Sequence, residues 1–207
     1  MMPVELLTLL AFLPAALALN LTPGADMMFT LGQGLRGGWR AGQAANLGIA
    51  AGGLVHVTLA ALGLAAVLKA HPAAFEAVRW AGVGYLLWLA WKALRAGPVQ
   101  PAEVAPAPAA QVLRKGMRAT LLTPRAGLFT LSFLPQYVDP ARPVLPQFMV
   151  LGLVFTAGGL AVNGIVGGFA GSIGGRLARS DLLSRWLGRV TAGIFTLLAV
   201  RLAAMER

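Results

Sequence analysis

The chain of 207 residues has no cysteine, two histidines and seven acidic residues. The lack of cysteine excludes a disulfide framework and a thiolate metal site, and two histidines argue against a histidine-built metal centre. Charged residues make up 12% of the chain, about half the fraction typical of a soluble domain. Ser-His-Asp, HExxH and paired-carboxylate patterns are also missing, so the sequence indicates neither an enzyme nor a cofactor.

What the chain has in abundance is apolar sequence. Hydrophobic residues make up 57% of it, and the mean hydropathy is +0.73. The net charge of +10 comes from Lys and Arg in short groups between apolar runs. Nucleic-acid binding needs a basic patch with interleaved aromatic residues, whereas this distribution is typical of membrane topology. The composition therefore predicts an all-α integral membrane protein in contact with the lipid bilayer.

Six apolar segments approach the roughly 20 residues that a membrane span needs. They are 4–35, 41–68, 75–93, 115–137, a stretch within 144–175, and 182–204. The first could instead be a signal peptide, but it carries Glu5 and no Lys or Arg before its apolar core, which favours a span. With the N-terminus outside, eleven basic residues fall in inside loops and five outside. This bias predicts that both termini lie outside the bacterial inner membrane.

The segment AGPVQPAEVAPAPAAQ, residues 96–111, is rich in Pro and Ala and reads as a flexible linker. It predicts a first three-helix unit over 1–95, a cytoplasmic linker over 96–113 and a second unit over 114–207. Two phrases recur across these units: LTPGADMMFTL at 21–31 with LLTPRAGLFTL at 121–131, and AGGLVH at 51–56 with AGGLAVN at 157–163. Because each unit has an odd number of spans, the two similar units must lie inverted relative to each other.

The recurring phrase places Pro23 and Pro124 inside the first and fourth spans, where each is expected to break its helix. A break frees backbone N–H and C=O groups, which must then face protein or a polar cavity rather than lipid. Paired broken helices in inverted repeats are typical of secondary transporters, with the solute bound where the breaks meet. A simple proline kink that aids packing is the structural alternative.

Polar residues around these breaks are the candidate site. Asp26 is the only acid well inside a predicted span, and it could bind an amine or carry a proton. Arg125 could hold a carboxylate, pair with Asp26, or extend to the interface. His56 could relay protons or bond between helices. The candidates for substrate binding or proton coupling are Asn20, Thr22, Pro23, Gly24, Asp26, His56, Thr123, Pro124 and Arg125, while Asn46, Gln136 and Asn163 are candidates for lining the path.

The chain resembles the LysE/RhtB family of bacterial amino-acid exporters. The resemblance is carried by NLTPGADMMFTLGQGLRGGWRAGQAANLGIAAGGLVH at 20–56, WAGVGYLLWLAWKALRAG at 80–97 and LLTPRAGLFTLSFLPQYV at 121–138. The family often has Pro-Gly-Pro where this chain has Ala25 after Gly24, and Asn-Pro-Lys where it has Thr123, Pro124 and Arg125. An Arg in place of Lys keeps the charge but excludes easy deprotonation.

The resemblance implies a six-helix exporter of amino acids or close derivatives, driven by proton exchange through alternating access, and it is compatible with a homodimer. An ion or other small-solute transporter or channel, and a structural membrane protein, are the alternatives that the residues leave open. A channel would need a polar stripe through several spans, and a structural role would leave Asp26 and the matched breaks unexplained.

Overall fold

The chain is mostly helical in the residues that its computed structural model describes, which are 3–70, 74–95, 102–122, 127, 130–131, 133–139, 141–170 and 181–204. No strand occurs among them, which confirms the predicted all-α class. The helices are α1 Leu6–Leu21, α2 Ala25–Ala70, α3 Ala74–Leu94, α4 Ala109–Leu122, α5 Val144–Gly168 and α6 Asp181–Ala203, with a 3-10 turn at Leu134–Tyr137.

The longest helix, α2, has 46 residues and is divided by Gly38. A straight helix of that length would extend about 69 Å, more than twice the roughly 30 Å of a hydrocarbon core. Gly38 has φ 71° and ψ −175°, a conformation that glycine adopts without steric cost. Phe29 of the first arm packs against the cluster of Ala44, Ala45 and Val112, and Gly34 and Gly42 on the two arms both approach Gly167, so the arms fold back towards each other. The turn expected between residues 35 and 41 is thus made at one residue.

Three described helical segments are long and apolar enough to cross a membrane: Ala25–Gly63, Val144–Gly168 and Arg185–Ala203. Helix α1 is apolar but has only 16 residues. Large apolar side chains cover the outside of the molecule, including Trp39, Trp80 and Trp186, each more than half exposed. Such a surface suits contact with lipid and its interface.

The helices pack in two groups around a shared core. Helix α2 lies between α4 and α5, α3 pairs with α6, and α1 packs mainly on α5. Phe12 of α1, Phe133 and Tyr137 form a buried aromatic cluster with ring centroids 5.1 to 5.3 Å apart. This cluster joins α1 to the 3-10 turn that precedes α5.

The linker differs from its prediction. Helix α4 begins at Ala109, so the final residues of the predicted 96–113 linker are helical and the helix begins before the predicted span at 115. The described part of the remaining linker is packed: the Ala102 N–H donates to the Met28 carbonyl at 3.2 Å. Val112, Gly116 and Thr120 are buried at four-residue spacing. Together they form the face of α4 that packs on α2.

Candidate functional site

A cavity of about 190 Å³ lies between α1, α2, α4 and α5, with one side chain each from α3 and α6. Its volume is below the 300–1,000 Å³ typical of pockets for drug-sized ligands, which favours a small solute. The lining residues are Leu19, Asn20, Thr22, Gly24, Ala25, Asp26, Met27, Asn46, Ile49, Ala50, Gly53, Val57, Leu89, Thr120, Thr130, Phe155, Thr156, Gly159, Leu160, Asn163 and Phe195.

The short connection between α1 and α2, residues 22–24, borders this cavity and is here called the α1–α2 junction. Thr22 has extended backbone with φ −68° and ψ 120°, and α2 begins two residues after Pro23 at Ala25. The first intrahelical bond of α2 runs from the Met28 N–H to the Gly24 carbonyl at 2.9 Å. The N–H groups of the preceding turn therefore have no carbonyl partner within the helix, and their dipoles favour negative charge.

Asp26 lies in this first turn of α2, is half-buried and lines the cavity. An acidic side chain at a helix N-terminus is stabilised in its ionised form. Among the described residues that line the cavity, Asp26 is the only one with a formal charge. The arrangement can therefore attract a cationic group into a mostly apolar pocket.

Amide side chains of α1 and α2 hold α5 against the cavity. Three bonds do this: Asn20 Nδ2 donates to the Phe155 carbonyl at 3.0 Å, Gln43 Nε2 to the Gly164 carbonyl at 2.7 Å, and Asn46 Nδ2 to the Leu160 carbonyl at 2.8 Å. Glycines on α5 make room for these amides, since a side chain at Gly158 or Gly159 would collide with Asn20. Asn20 and Asn46 line the cavity and Gln43 does not.

Threonine hydroxyls supply the rest of the polar lining. The Thr22 hydroxyl lies 2.9 Å from the hydroxyl of Thr191 on α6, which ties the α1–α2 junction to that helix. The Thr120 hydroxyl is buried and has no hydrogen-bond partner among the described residues. Because a buried hydroxyl without a partner is costly, Thr120 is suited to bonding a solute in the cavity that it lines.

The structure gathers some of the predicted site residues and separates others. Asn20, Thr22, Gly24, Asp26, Asn46 and Asn163 line the cavity, and Pro23 lies between two lining residues. Gln136 is buried in the 3-10 turn, away from the lining. Thr123, Pro124 and Arg125 lie outside the described residues.

His56 lies at the contact between α2 and α4, outside the cavity lining. Its Nε2 is 3.0 Å from the Thr120 carbonyl. A carbonyl oxygen only accepts hydrogen bonds, so Nε2 carries the proton in this contact. Gly127 packs closely on the other ring nitrogen, Nδ1, so the ring bridges α2 to α4 and to a residue just beyond the second motif.

Sequence reasoning did not select Thr120, Thr130, Thr156 or Thr191. Thr120 directly precedes the second Pro-containing phrase at 121–131 and Thr130 lies within it, and that position is the one signal that could have singled them out. Thr156 bonds its own helix at the Gly152 carbonyl, and Thr191 lies in an apolar segment with no motif. Among the described residues, no three His, Cys, Asp or Glu side chains come together as a metal site would need.

Apolar helices around an internal cavity that holds a few polar side chains, with a helix break at its edge, are typical of membrane transport proteins. Comparison with known families agrees: the LysE type translocator model matches residues 17–206. The chain belongs to the LysE type translocator family and is a bacterial membrane protein, as the sequence resemblance predicted.

Individual relatives are similar to the chain over part of their length, with 29% to 35% identity in the aligned residues. An uncharacterized membrane protein of Vibrio cholerae serotype O1 is 32% identical over 70% of this chain and 71% of its own length. The homoserine/homoserine lactone efflux protein of Salmonella typhi is 29% identical over 69% and 70%. The leucine efflux protein of Klebsiella pneumoniae subsp. pneumoniae is 35% identical over 64% of each chain. No solved structure matches the chain.

Proposed function

We propose that the protein exports small amino acids, or close derivatives, from the bacterial cytoplasm through the cavity at the α1–α2 junction. The observation that carries this proposal is Asp26, a carboxylate in a small, mainly apolar pocket inside a helical membrane protein. An ammonium group is the common cation of amino acids, and a carboxylate in a low-dielectric site attracts it strongly. The named efflux relatives support the substrate class.

The cavity fits a zwitterion with an apolar side chain. The ammonium group binds near Asp26, and the carboxylate binds near the N-terminal N–H groups of α2 or near Arg125. The apolar wall accepts the side chain, with Phe155, Leu160 and Phe195 on the side of α5 and α6. In this proposal the Thr120 hydroxyl donates a hydrogen bond to the solute, because no described residue is a partner for that hydroxyl.

The transport cycle proposed here is alternating access between two inverted three-helix units, with proton exchange as the driving force. Reciprocal contacts support the inverted arrangement. Asn20, before the first Pro motif, packs on Gly158 and Gly159, while Thr120, before the second, packs on Gly52. These glycines belong to the AGG sequences that recur at 51–53 and 157–159.

The test is an efflux assay in a transporter-poor bacterium loaded with dipeptides. The wild type, Asp26→Asn and Glu103→Gln are compared, since Glu103 is an exposed acid outside the cavity. We expect faster release of one or a few amino acids by the wild type and Glu103→Gln. We expect a loss of about tenfold to a hundredfold in Asp26→Asn, because a hydrogen bond to a charged group contributes about 1.5–3 kcal/mol.

Membrane levels measured in the same cells make the result interpretable. No release above the empty-vector control for any of the amino acids, with the wild type folded in the membrane, refutes amino-acid export. Equal release by the wild type and Asp26→Asn, above the empty-vector control, refutes the role of Asp26 but leaves amino-acid export in place.

A further inference from the structure

Asn46 and Gln43 make the same kind of bond to α5 but differ in what lies behind them. Each donates an amide N–H to a backbone carbonyl of α5, at 2.8 Å for Asn46 and 2.7 Å for Gln43. Asn46 lines the cavity, whereas Gln43 does not. The two side chains are three residues apart on one helix. Comparing them therefore separates the role of an amide in holding α5 from its role in the cavity.

The chemistry of the bond fixes the orientation of the Asn46 side chain. The Leu160 carbonyl can only accept, so the amide must present its NH₂ end to α5. The amide oxygen Oδ1 therefore points away from that carbonyl. Asn46 is 3% exposed and lines the cavity, so a solute in the cavity can donate a hydrogen bond to this oxygen.

An ammonium group can donate hydrogen bonds both to the Asp26 carboxylate and to Asn46 Oδ1. It carries three N–H bonds, and a single carboxylate does not satisfy all three in a geometry free of water. Asp26 lies on the first arm of α2 and Asn46 on the second, and both arms contribute to one cavity. Because α2 turns at Gly38, both acceptors border the same cavity.

We propose that Asn46 is a specificity-determining residue whose Oδ1 accepts an N–H bond from the substrate ammonium group beside Asp26. This inference rests on the proposed export of amino acids. It deepens that function by requiring a primary ammonium group with its full set of N–H donors. The bond to Leu160 orients the amide, so that Asn46 both holds α5 and accepts a hydrogen bond from the substrate.

The experiment measures uptake of radiolabelled leucine into inside-out vesicles, with leucine and N,N-dimethylleucine as competitors. Another amino acid and its dimethyl derivative replace them if the efflux assay identifies a different substrate. Asn46→Leu is compared with the matched control Gln43→Met, because both remove one amide bond to α5. Asn46→Asp keeps acceptor oxygens at the site but loses the bond to Leu160.

We expect Asn46→Leu to raise the KM for leucine about tenfold or more, since an N–H left unpaired in a buried site is costly. Its inhibition by N,N-dimethylleucine should stay unchanged. Gln43→Met should leave KM within about twofold, and Asn46→Asp should recover much of the wild-type KM. In the wild type, leucine should compete at least about tenfold better than N,N-dimethylleucine.

The contrary result is an equal fall in maximal rate for Asn46→Leu and Gln43→Met with unchanged KM, which makes Asn46 an interhelical anchor only. If Asn46→Leu does not reach the membrane, the wild type still decides, because equal competition by leucine and N,N-dimethylleucine overturns the proposal. A wild type that transports no amino acid refutes the proposed function instead, so the two failures are distinct.

Discussion

Helices α4 and α5 both pack on the second arm of α2 through close glycine contacts, but the contact with α5 also includes amide side chains. On the α4 side, Gly48 and Gly52 let the two backbones approach until a side chain would collide with Leu113 and Met117. On the α5 side, Gly42 and Gly167 approach in the same way, and Gln43 and Asn46 also bind backbone carbonyls. Lipid gives little hydrophobic drive between helices, so close packing and polar bonds are the two available sources of attraction.

The difference teaches where a membrane protein can place a polar site. A glycine contact fixes the distance between two helices and provides no side-chain polar group for a solute. An amide contact binds the neighbouring helix through its NH₂ group, so its oxygen remains able to accept a hydrogen bond from a solute. The cavity correspondingly takes both Asn20 and Asn46 from the amide contacts to α5.

The largest effect on stability should come from breaking the glycine contact. In Gly48→Ala the new Cβ would collide with the Leu113 carbonyl and lie 3.0 Å from the Met117 nitrogen. Backbone atoms of a helix cannot yield locally, so α2 and α4 must separate. We expect the free energy of unfolding to fall by about 1–3 kcal/mol, the usual cost of overpacking, as measured by denaturant unfolding in detergent.

Gly63→Ala is the matched control on the same helix, because a Cβ there meets nothing within 4 Å. It should be neutral or stabilising by up to about 1 kcal/mol, since alanine is the better helix former. A Gly48→Ala protein as stable as the wild type contradicts the close contact between α2 and α4.

The one described side-chain bond across the α2–α4 contact, from His56 to the Thr120 carbonyl, should matter less. His56→Leu removes the donor, and we expect a loss of about 0.5–1.5 kcal/mol in unfolding free energy. Because His56 lies outside the cavity lining, His56→Gln should keep the proposed amino-acid export and any response of that export to external pH. Export by His56→Gln that loses a pH response seen in the wild type, with substrate binding intact, assigns proton transfer to this ring instead.

A third kind of contact, between two hydroxyls, joins the α1–α2 junction to α6. The Thr22 and Thr191 hydroxyls are 2.9 Å apart. A double-mutant cycle with Thr22→Val and Thr191→Val should give a coupling energy of about 0.5–1.5 kcal/mol in unfolding free energy. Strictly additive losses argue that the two hydroxyls do not bond in the folded protein.

The sequence predicted the helical class, the family and several cavity residues because these depend on local chemistry. Apolar composition indicates a membrane protein, Pro23 and Gly24 cannot continue a helix easily, and Asp26 stands out among apolar neighbours. The start of α4 at Ala109 lies in a segment whose Pro- and Ala-rich composition favoured a linker. The contacts of Val112, Gly116 and Thr120 with α2 form only in the folded chain.

The use of each amide could not be predicted for a related reason. The sequence analysis named Asn46 as a path-lining candidate, and Asn46 lines the cavity, but its part in holding α5 and the equivalent bond of Gln43 were not predicted. Only the position of α5 decides which amide borders the cavity, and that position depends on contacts more than a hundred residues apart along the chain. Thr191 was missed for the same reason, since its partner Thr22 lies 169 residues away.

The smallest effect is expected where the helices meet water rather than each other. Glu5, before α1, pairs with Arg142, before α5, and Arg142 also lies 3.3 Å from Asp139. The Arg142 and Glu5 side chains are 43% and 59% exposed, so solvent screens their attraction. Arg142→Gln should lower the free energy of unfolding by less than about 1 kcal/mol, and added salt should remove most of that difference. A loss as large as that of Gly48→Ala, or one that salt leaves unchanged, would mean that this pair fixes α1 against α5, and polar contacts at the membrane surface would then rank with backbone packing inside it.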